Sequence, residues 1–190
     1  MANLYEEIIK AALDDKDIHI ADIPNIDLYM DQIITLIEGK YSSNKRFDND
    51  KLLTKTMINN YSKEGLIKPI KGKKYSREHI VQMLMIYSMK NTLSIQEIKS
   101  VFAGIYSEEG FDSQALQRCY EGFLEEKQQI REMSQEMVSS FMEKADINME
   151  DKQELLVALM GITALSSYMK NIAQGIIDQY FPVPLKKKEK

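Results

Sequence analysis

The chain has 190 residues, 44% of them hydrophobic and 28% charged, an ordinary globular composition with room for one sizeable core or two small ones. One cysteine, Cys119, excludes a disulfide framework, and with only His19 and His79 beside it no structural zinc or thiolate metal site is expected. The start, MANLYEEIIK, is acidic where a secretory signal needs a basic and then an apolar stretch, and the longest uncharged run, 155–169, falls short of the roughly 20 residues of a membrane span, so a cytoplasmic protein without membrane contact is expected.

Residues 3–13 place Leu4, Ile8 and Ala12 at helical spacing and predict a short amphipathic helix. Residues 14–25 are polar and end in the breaker Asp22-Ile23-Pro24-Asn25, a loop feeding the next helix. Asp27 can cap that helix, whose apolar stripe is Met30, Ile33, Ile34 and Ile37 and whose stop is Gly39. Residues 40–49 are polar, basic and without periodicity, a long turn.

Asp48 or Asn49 can cap a further helix with Leu52 or Leu53, Met57, Ile58 and Tyr61 inward. Thr54, Lys55, Thr56, Asn59, Asn60 and Lys63 then face out. Asn can pair two-pronged with adenine, Thr and Lys reach phosphates, and the Thr methyl can touch thymine. A pair of asparagines in mid-helix lowers helix propensity, so local stability did not select it; a plain hydrophilic face is the alternative. Gly65 sits where the helix must end. Residues 66–70 and Lys74-Tyr75, around Lys71-Gly72-Lys73, read as a small β-hairpin with a basic tip, and Pro69 confines it to a partly unpaired edge. Lys71, Lys73 and Lys74, with Tyr75 and Arg77 beside them, are candidates for backbone contacts flanking the helix site. Ser76 caps a helix dense in core residues (Ile80, Met83, Leu84, Ile86, Tyr87), in whose first turn His79 is a packing or capping side chain. Ser94-Ile95-Gln96-Glu97 is a capping box opening a short helix with Ile98, Val101 and Phe102 inward.

Charge follows the same division. Residues 51–90 hold nine Lys/Arg against two acids, a balance of +7, which leaves −11 for the remainder of a chain whose net charge is −4. A basic block on an acidic body attracts polyanion and orients the molecule toward it. The region 53–102 resembles the DNA-binding domain of MerR-type regulators, through Tyr61, Gly65-Leu66-Ile67, Pro69, Tyr75-Ser76 and Leu93-Ser94-Ile95-Gln96-Glu97-Ile98-Lys99. It departs from them in Asn59-Asn60, where an Arg-Tyr pair is common, in a lengthened turn and in a short wing. More closely, Leu28-Tyr29-Met30-Asp31-Gln32 and Leu53-Thr54-Lys55-Thr56-Met57-Ile58-Asn59-Asn60-Tyr61 resemble a bacterial family, domain of unknown function 1836, over about residues 20–105. The resemblance implies a winged helix-turn-helix; transcription follows only by analogy with MerR and from charge.

Beyond a short linker, Asp112 or Ser113 can cap a helix to about Lys144, with Leu116, Phe123, Ile130 and Met137 recurring every seven residues. Packing of this helix within its own chain and pairing between two chains both remain open. Asn148 opens a second long helix to about Phe181, with Leu155, Leu159, Ile162, Leu165, Met169, Ile172, Ile176 and Tyr180 inward. Residues 155–165 are apolar nearly all round, which a two-helix hairpin alone cannot bury, so a partner subunit is expected. The methionines with Tyr120, Phe123 and Tyr168 are candidates to line a pocket for an unknown small-molecule effector, although methionine at helical spacing is more often core. Residues 182–190 read as a basic, disordered tail.

The expectation is therefore a mainly α protein: a winged helix-turn-helix with a small β-hairpin wing over 1–105, then a long helical hairpin over 111–181 that dimerises. Its expected role is a transcriptional regulator binding a pseudo-palindrome in double-stranded DNA as a homodimer. The alternative is a protein-interaction adaptor on the same fold. No phosphate loop, metal cluster or nucleophile with a base points to an enzyme or a cofactor.

Overall fold

The structure, a computed structural model, describes residues 4–70 and 72–182; Lys71 and the tail from 183 onward lie outside the described residues. Helix α1 (Leu4–Leu13) leads into a polar segment with one 3-10 turn at Ile20–Asp22. Asp22 holds that turn: one carboxylate oxygen accepts from the His19 N–H at 3.0 Å and the other from Lys40 Nζ at 2.7 Å. Where a helix capped by Asp27 was expected, the chain stays extended as β1 (Leu28–Tyr29), and α2 (Met30–Tyr41) starts directly after it. Gly39 does not end α2. Ile33, Ile37 and Tyr41 are all buried at i, i+4 spacing, and that burial outweighs the ~1 kcal/mol helix penalty of one glycine.

Helix α3 (Lys55–Lys63) starts later than the sequence pattern predicts, because Leu52 and Leu53, 4% and 2% exposed, are buried in the non-helical chain before it. Thr54 is the cap, its hydroxyl accepting from the Met57 N–H at 3.2 Å. The predicted hairpin is also rearranged. Strand β2 (Lys74–Tyr75) pairs antiparallel with β1, Leu28 opposite Tyr75 and Tyr29 opposite Lys74. The 66–70 segment cannot serve as that partner. Pro69 has no N–H to give, the Lys68 N–H donates to Gln82 Oε1 at 3.2 Å, and Leu66 and Ile67 are 1% and 3% exposed in the core.

Helix α4 (Arg77–Met89) is the centre of the molecule: Ile80, Val81, Met83, Leu84 and Ile86 are all fully buried. His79 Nδ1 accepts from the Ser76 N–H at 3.0 Å, so His79 serves the helix start. Helix α5 (Ile95–Ser107) opens with the expected reciprocal cap: Ser94 Oγ accepts from the Glu97 N–H at 3.2 Å and Glu97 Oε2 from the Ser94 N–H at 2.6 Å. Those bonds, the backbone one first, hold the Glu97 carboxyl below its ordinary range.

Helix α6 (Ser113–Lys144) is capped by Asp112, which accepts from the Ala115 N–H at 2.8 Å. Its start packs within the chain: Leu116, Tyr120 and Leu124 join the core around α4. Farther along, Arg131 bonds Asp15 Oδ1 at 2.9 Å and Asp17 Oδ2 at 2.7 Å, and Lys127 bridges the same two carboxylates. The rest of the seven-residue series is uncovered, with Phe123, Ile130 and Met137 at 36%, 48% and 42% exposure.

Helix α7 (Lys152–Tyr180) is capped by Asp151 rather than Asn148, whose side chain is taken by the Glu150 N–H in the preceding turn. It touches α6 near its start, where Phe141 lies over Gly161. Its end rests on α5, where Gln174 donates to Glu97 at 2.6 Å and Phe181 lies over Gly104. Only Ala158 and Ile177 are buried along it. Of the stripe expected to face inward, Leu155 and Leu165 are half-buried, but most of the rest is exposed, Leu159 at 62%, Ile172 at 59% and Tyr180 at 72%. The hairpin is held at its two ends; Leu155, Leu159 and Ile162 of the stripe line an open cleft with α1 and α6. By length and composition α7 is also the one helix among the described residues long and apolar enough to cross a membrane.

Candidate nucleic-acid interface

Helix α3 is amphipathic in the way its sequence requires. Ile58 and Tyr61 are buried and Met57 is half-buried, whereas Lys55, Thr56, Asn59, Asn60 and Lys63 are exposed. Thr56, Asn59, Asn60 and Lys63 stand at i, i+3, i+4 and i+7 and form one strip along the helix. Gly65, at φ 73°, ends it in the left-handed conformation, with its N–H on the Ser62 carbonyl at 3.1 Å and that of Leu66 on the Tyr61 carbonyl at 2.9 Å. The strip is thus carried on a helix fixed at both ends and along its inner face.

The remaining expected contact residues divide by burial. Thr54 spends its hydroxyl on the cap. Lys55 pairs with Asp31 of α2 at 2.7 Å, but both side chains are well exposed, at 63% and 73%, and such a pair contributes only about 0–1 kcal/mol. Lys73, in the turn before β2, and Lys74, the first residue of β2, are exposed, and the Lys74 ammonium lies 5.3 Å from the centre of the Tyr29 ring. Tyr75 is 2% exposed and meets the His79 ring edge-on. Arg77 is half-buried and donates to the Ile23 carbonyl at 2.8 Å, fastening the loop before β1 to α4. Both therefore point into the fold, away from the strip. Lys71 lies outside the described residues.

Two exposed aromatics escaped the sequence reading. Tyr29, 50% exposed, stands beside Lys74 on the sheet, and Phe47, 57% exposed, sits in the turn before α3 with the Arg46 guanidinium 5.1 Å from its ring centre. A lone aromatic in a polar, basic run was the available signal for Phe47; Tyr29 had none, because its exposure depends on which strand it pairs with.

Among the described residues no group of three His, Cys, Asp or Glu could hold a metal ion. A cavity of about 600 Å³ lies between the 65–70 segment and α5, lined chiefly by Leu66, Pro69, Ile70, Phe102 and Tyr106. Its floor, the fully buried Gln82, is satisfied by the Lys68 N–H and by the Tyr106 hydroxyl at 2.8 Å. A second, almost wholly apolar cleft of about 410 Å³ between α1, α6 and α7 is lined by Ile9, Val138, Met142, Leu155 and Ala158 among others. Tyr120, Phe123 and Tyr168 are not gathered in either: Tyr120 is in the core, and the other two are on the surface.

Comparison with curated proteins and with solved structures returns no match. A family model matches residues 18–123, from the segment before β1 into the first turns of α6, so the unit it describes includes every buried residue of the α4-centred core except Leu124. With more than half of its length so matched, the chain belongs to the family described as Domain of unknown function (DUF1836).

Proposed function

We propose that the chain is a sequence-specific DNA-binding transcriptional regulator of MerR-like, winged helix-turn-helix type, which lays α3 in a major groove and reads a pseudo-palindrome as a dimer. The observation that carries this reading is the strip Thr56, Asn59, Asn60 and Lys63. It places side chains suited to base edges and phosphates on the exposed face of a helix that core packing holds rigid. Asparagine weakens a helix, so two in succession on a nine-residue helix oppose local stability and call for a different cause. Lys73, Lys74, Arg46 and the ring of Phe47 are further exposed cationic and flat apolar groups of the same domain. The Lys55–Asp31 pair is exposed enough to exchange its carboxylate for a phosphate with little loss. The +7 balance of residues 51–90 gives the approach its direction.

The test is binding of the full chain to genomic and to random duplex DNA as a function of salt. Each phosphate contact contributes roughly −0.9 to the slope of log K against log salt, so a footprint of several lysines gives a slope of several units. Lys73→Ala combined with Lys74→Ala lowers that slope by up to about 1.8. A slope near zero, or an affinity unmoved by the double substitution, ends the DNA reading and leaves the adaptor. Selection of bound genomic fragments then yields operator, symmetry and spacing together.

A further inference from the structure

Helices α1, α6 and α7 enclose an apolar cleft of about 410 Å³. Its depth is made by nearly buried side chains, Ile9 at 9%, Met142 at 6% and Ala158 at 3% exposure, and its rim by exposed ones, Ile8 at 56% and Leu159 at 62%. Separate fastenings hold the three helices around it. The Phe141 ring of α6 occupies the space a side chain at Gly161 of α7 would take. Asp15 and Asp17, just beyond α1, are bound by Lys127 and Arg131 of α6.

We propose that this cleft binds a small, uncharged lipophilic molecule of up to about 16 carbons with at most one hydrogen-bonding group. The size follows from the volume. An apolar cavity of about 150 Å³ takes benzene, or about 25 Å³ per carbon, so 410 Å³ takes about 16. The polarity follows from the wall. Among the lining side chains the Tyr5 hydroxyl is the one strong hydrogen-bonding group, and no Lys or Arg lines the cleft to hold an anionic head. Met142 and Met149 can adjust to the shape of such a ligand.

The other occupants fit less well. Leu155 and Ile162 lie seven residues apart, about 10.5 Å along α7, so the mean cross-section of the cleft is about 40 Å². A helix 10–12 Å across needs roughly 80–110 Å², so a partner helix cannot seat in it. An extended peptide would bring N–H and C=O groups against a wall without partners for them. Water finds too few hydrogen bonds there to fill it. A lipophilic ligand also has a structural effect. Helix α1 has ten residues, too few for stability as an isolated helix, so it depends on packing, and a molecule lodged between α1 and α7 adds to that packing. The site does not rest on the DNA reading.

The experiment titrates the full chain with N-phenyl-1-naphthylamine, an uncharged probe of about this size whose emission rises and shifts to the blue in an apolar site. One probe should bind per chain, and 1-decanol should displace it at least tenfold more effectively than decanoate. Ile8→Asp and Leu159→Asp should each weaken probe binding at least tenfold with helical content retained. Leu156→Asp, exposed on the same helix but outside the cleft, should leave it within twofold. Saturation with 1-decanol should slow hydrogen exchange of the α1 amides at least tenfold. Absence of saturable binding, equal losses from Leu156→Asp and Leu159→Asp, or α1 exchange unmoved by 1-decanol would each overturn the proposal. Probe binding that falls as the chain self-associates would give the cleft to a second copy, and decanoate binding tighter than 1-decanol would give it to an anionic amphiphile; either result also overturns it. None of these readouts involves DNA.

Discussion

Replacing Tyr120 by phenylalanine isolates the bond that joins the most distant parts of the core. Tyr120, 1% exposed on α6, donates its hydroxyl to the Ile18 carbonyl at 2.9 Å, across 102 positions of sequence, and Ile18 is itself fully buried. Burial is the main cause that drives the Tyr120 phenol far above its ordinary value and the neighbouring Tyr41 phenol up to about 12, so both stay protonated donors throughout the physiological range. Tyr120→Phe keeps the ring in place and removes only the hydroxyl. The Ile18 carbonyl is then left in a dry core without a donor, and an unsatisfied buried group costs about 1–3 kcal/mol. For a chain of this length each kcal/mol shifts the melting temperature by roughly 2–4 °C, so a fall of about 2–12 °C is expected. Urea unfolding should show a lower midpoint with the slope unchanged. Tyr168→Phe, at a position 61% exposed, is the control and should stay within about 0.5 kcal/mol of the parent. If Tyr120→Phe melts with the control, the bond does not hold α6 to the N-terminal segment, and the reasoning fails.

Two glycines should respond with opposite signs. Gly65→Ala forces a side chain into φ 73° and should destabilise by about 1–2 kcal/mol, whereas Gly39→Ala, exposed inside α2 with open space around it, should stabilise by about 0.5–1 kcal/mol; thermal melts of both decide. Burial alone would raise the Asp15 carboxyl, but the hydrogen bonds and charges of Lys127 and Arg131 outweigh it and hold it below its ordinary value of 3.8. A carboxylate held low stabilises the fold above its unfolded value and loses that contribution as pH falls through 3.8 toward the depressed value. Arg131→Met should therefore lower stability near neutral pH by about 0.5–1 kcal/mol, the Asp15 carboxylate being exposed enough for solvent to screen it, and flatten the acid limb of a stability–pH curve; an acid limb identical to the parent's would refute it. Within the proposed function, Asn59→Ala should relax base preference at one operator position by on the order of 1–3 kcal/mol, and a uniform loss on every sequence would contradict a base-reading role.

Local chemistry was legible where a few neighbouring residues settle it. The Ser94–Glu97 box, the Asp112 cap and the Gly65 stop are each decided within one helical turn, and each stands as its residues predict. The outer strip of α3 was readable for the same reason, since a period of 3.6 assigns Ile58 and Tyr61 to one side and Thr56, Asn59, Asn60 and Lys63 to the other. Strand pairing was not. A two-residue strand carries almost no periodic signal, and Leu28–Tyr29 won the place beside Lys74–Tyr75 because in the nearer segment, 66–70, the N–H groups of Leu66 and Ile67 are spent on the Tyr61 carbonyl, that of Lys68 on Gln82, and Pro69 has none.

By itself the sequence determined which segments become helices, the basic character of residues 51–90, and the apolar surplus of α7, because these follow from composition and short-range spacing. Only the tertiary structure decided that Tyr75 and Arg77 turn into the fold and that α6 begins inside the α4-centred core. It also left the long stripe of α7 uncovered. Burial is a property of what lies opposite a side chain, and among the described residues α7 meets its own chain mainly near its two ends.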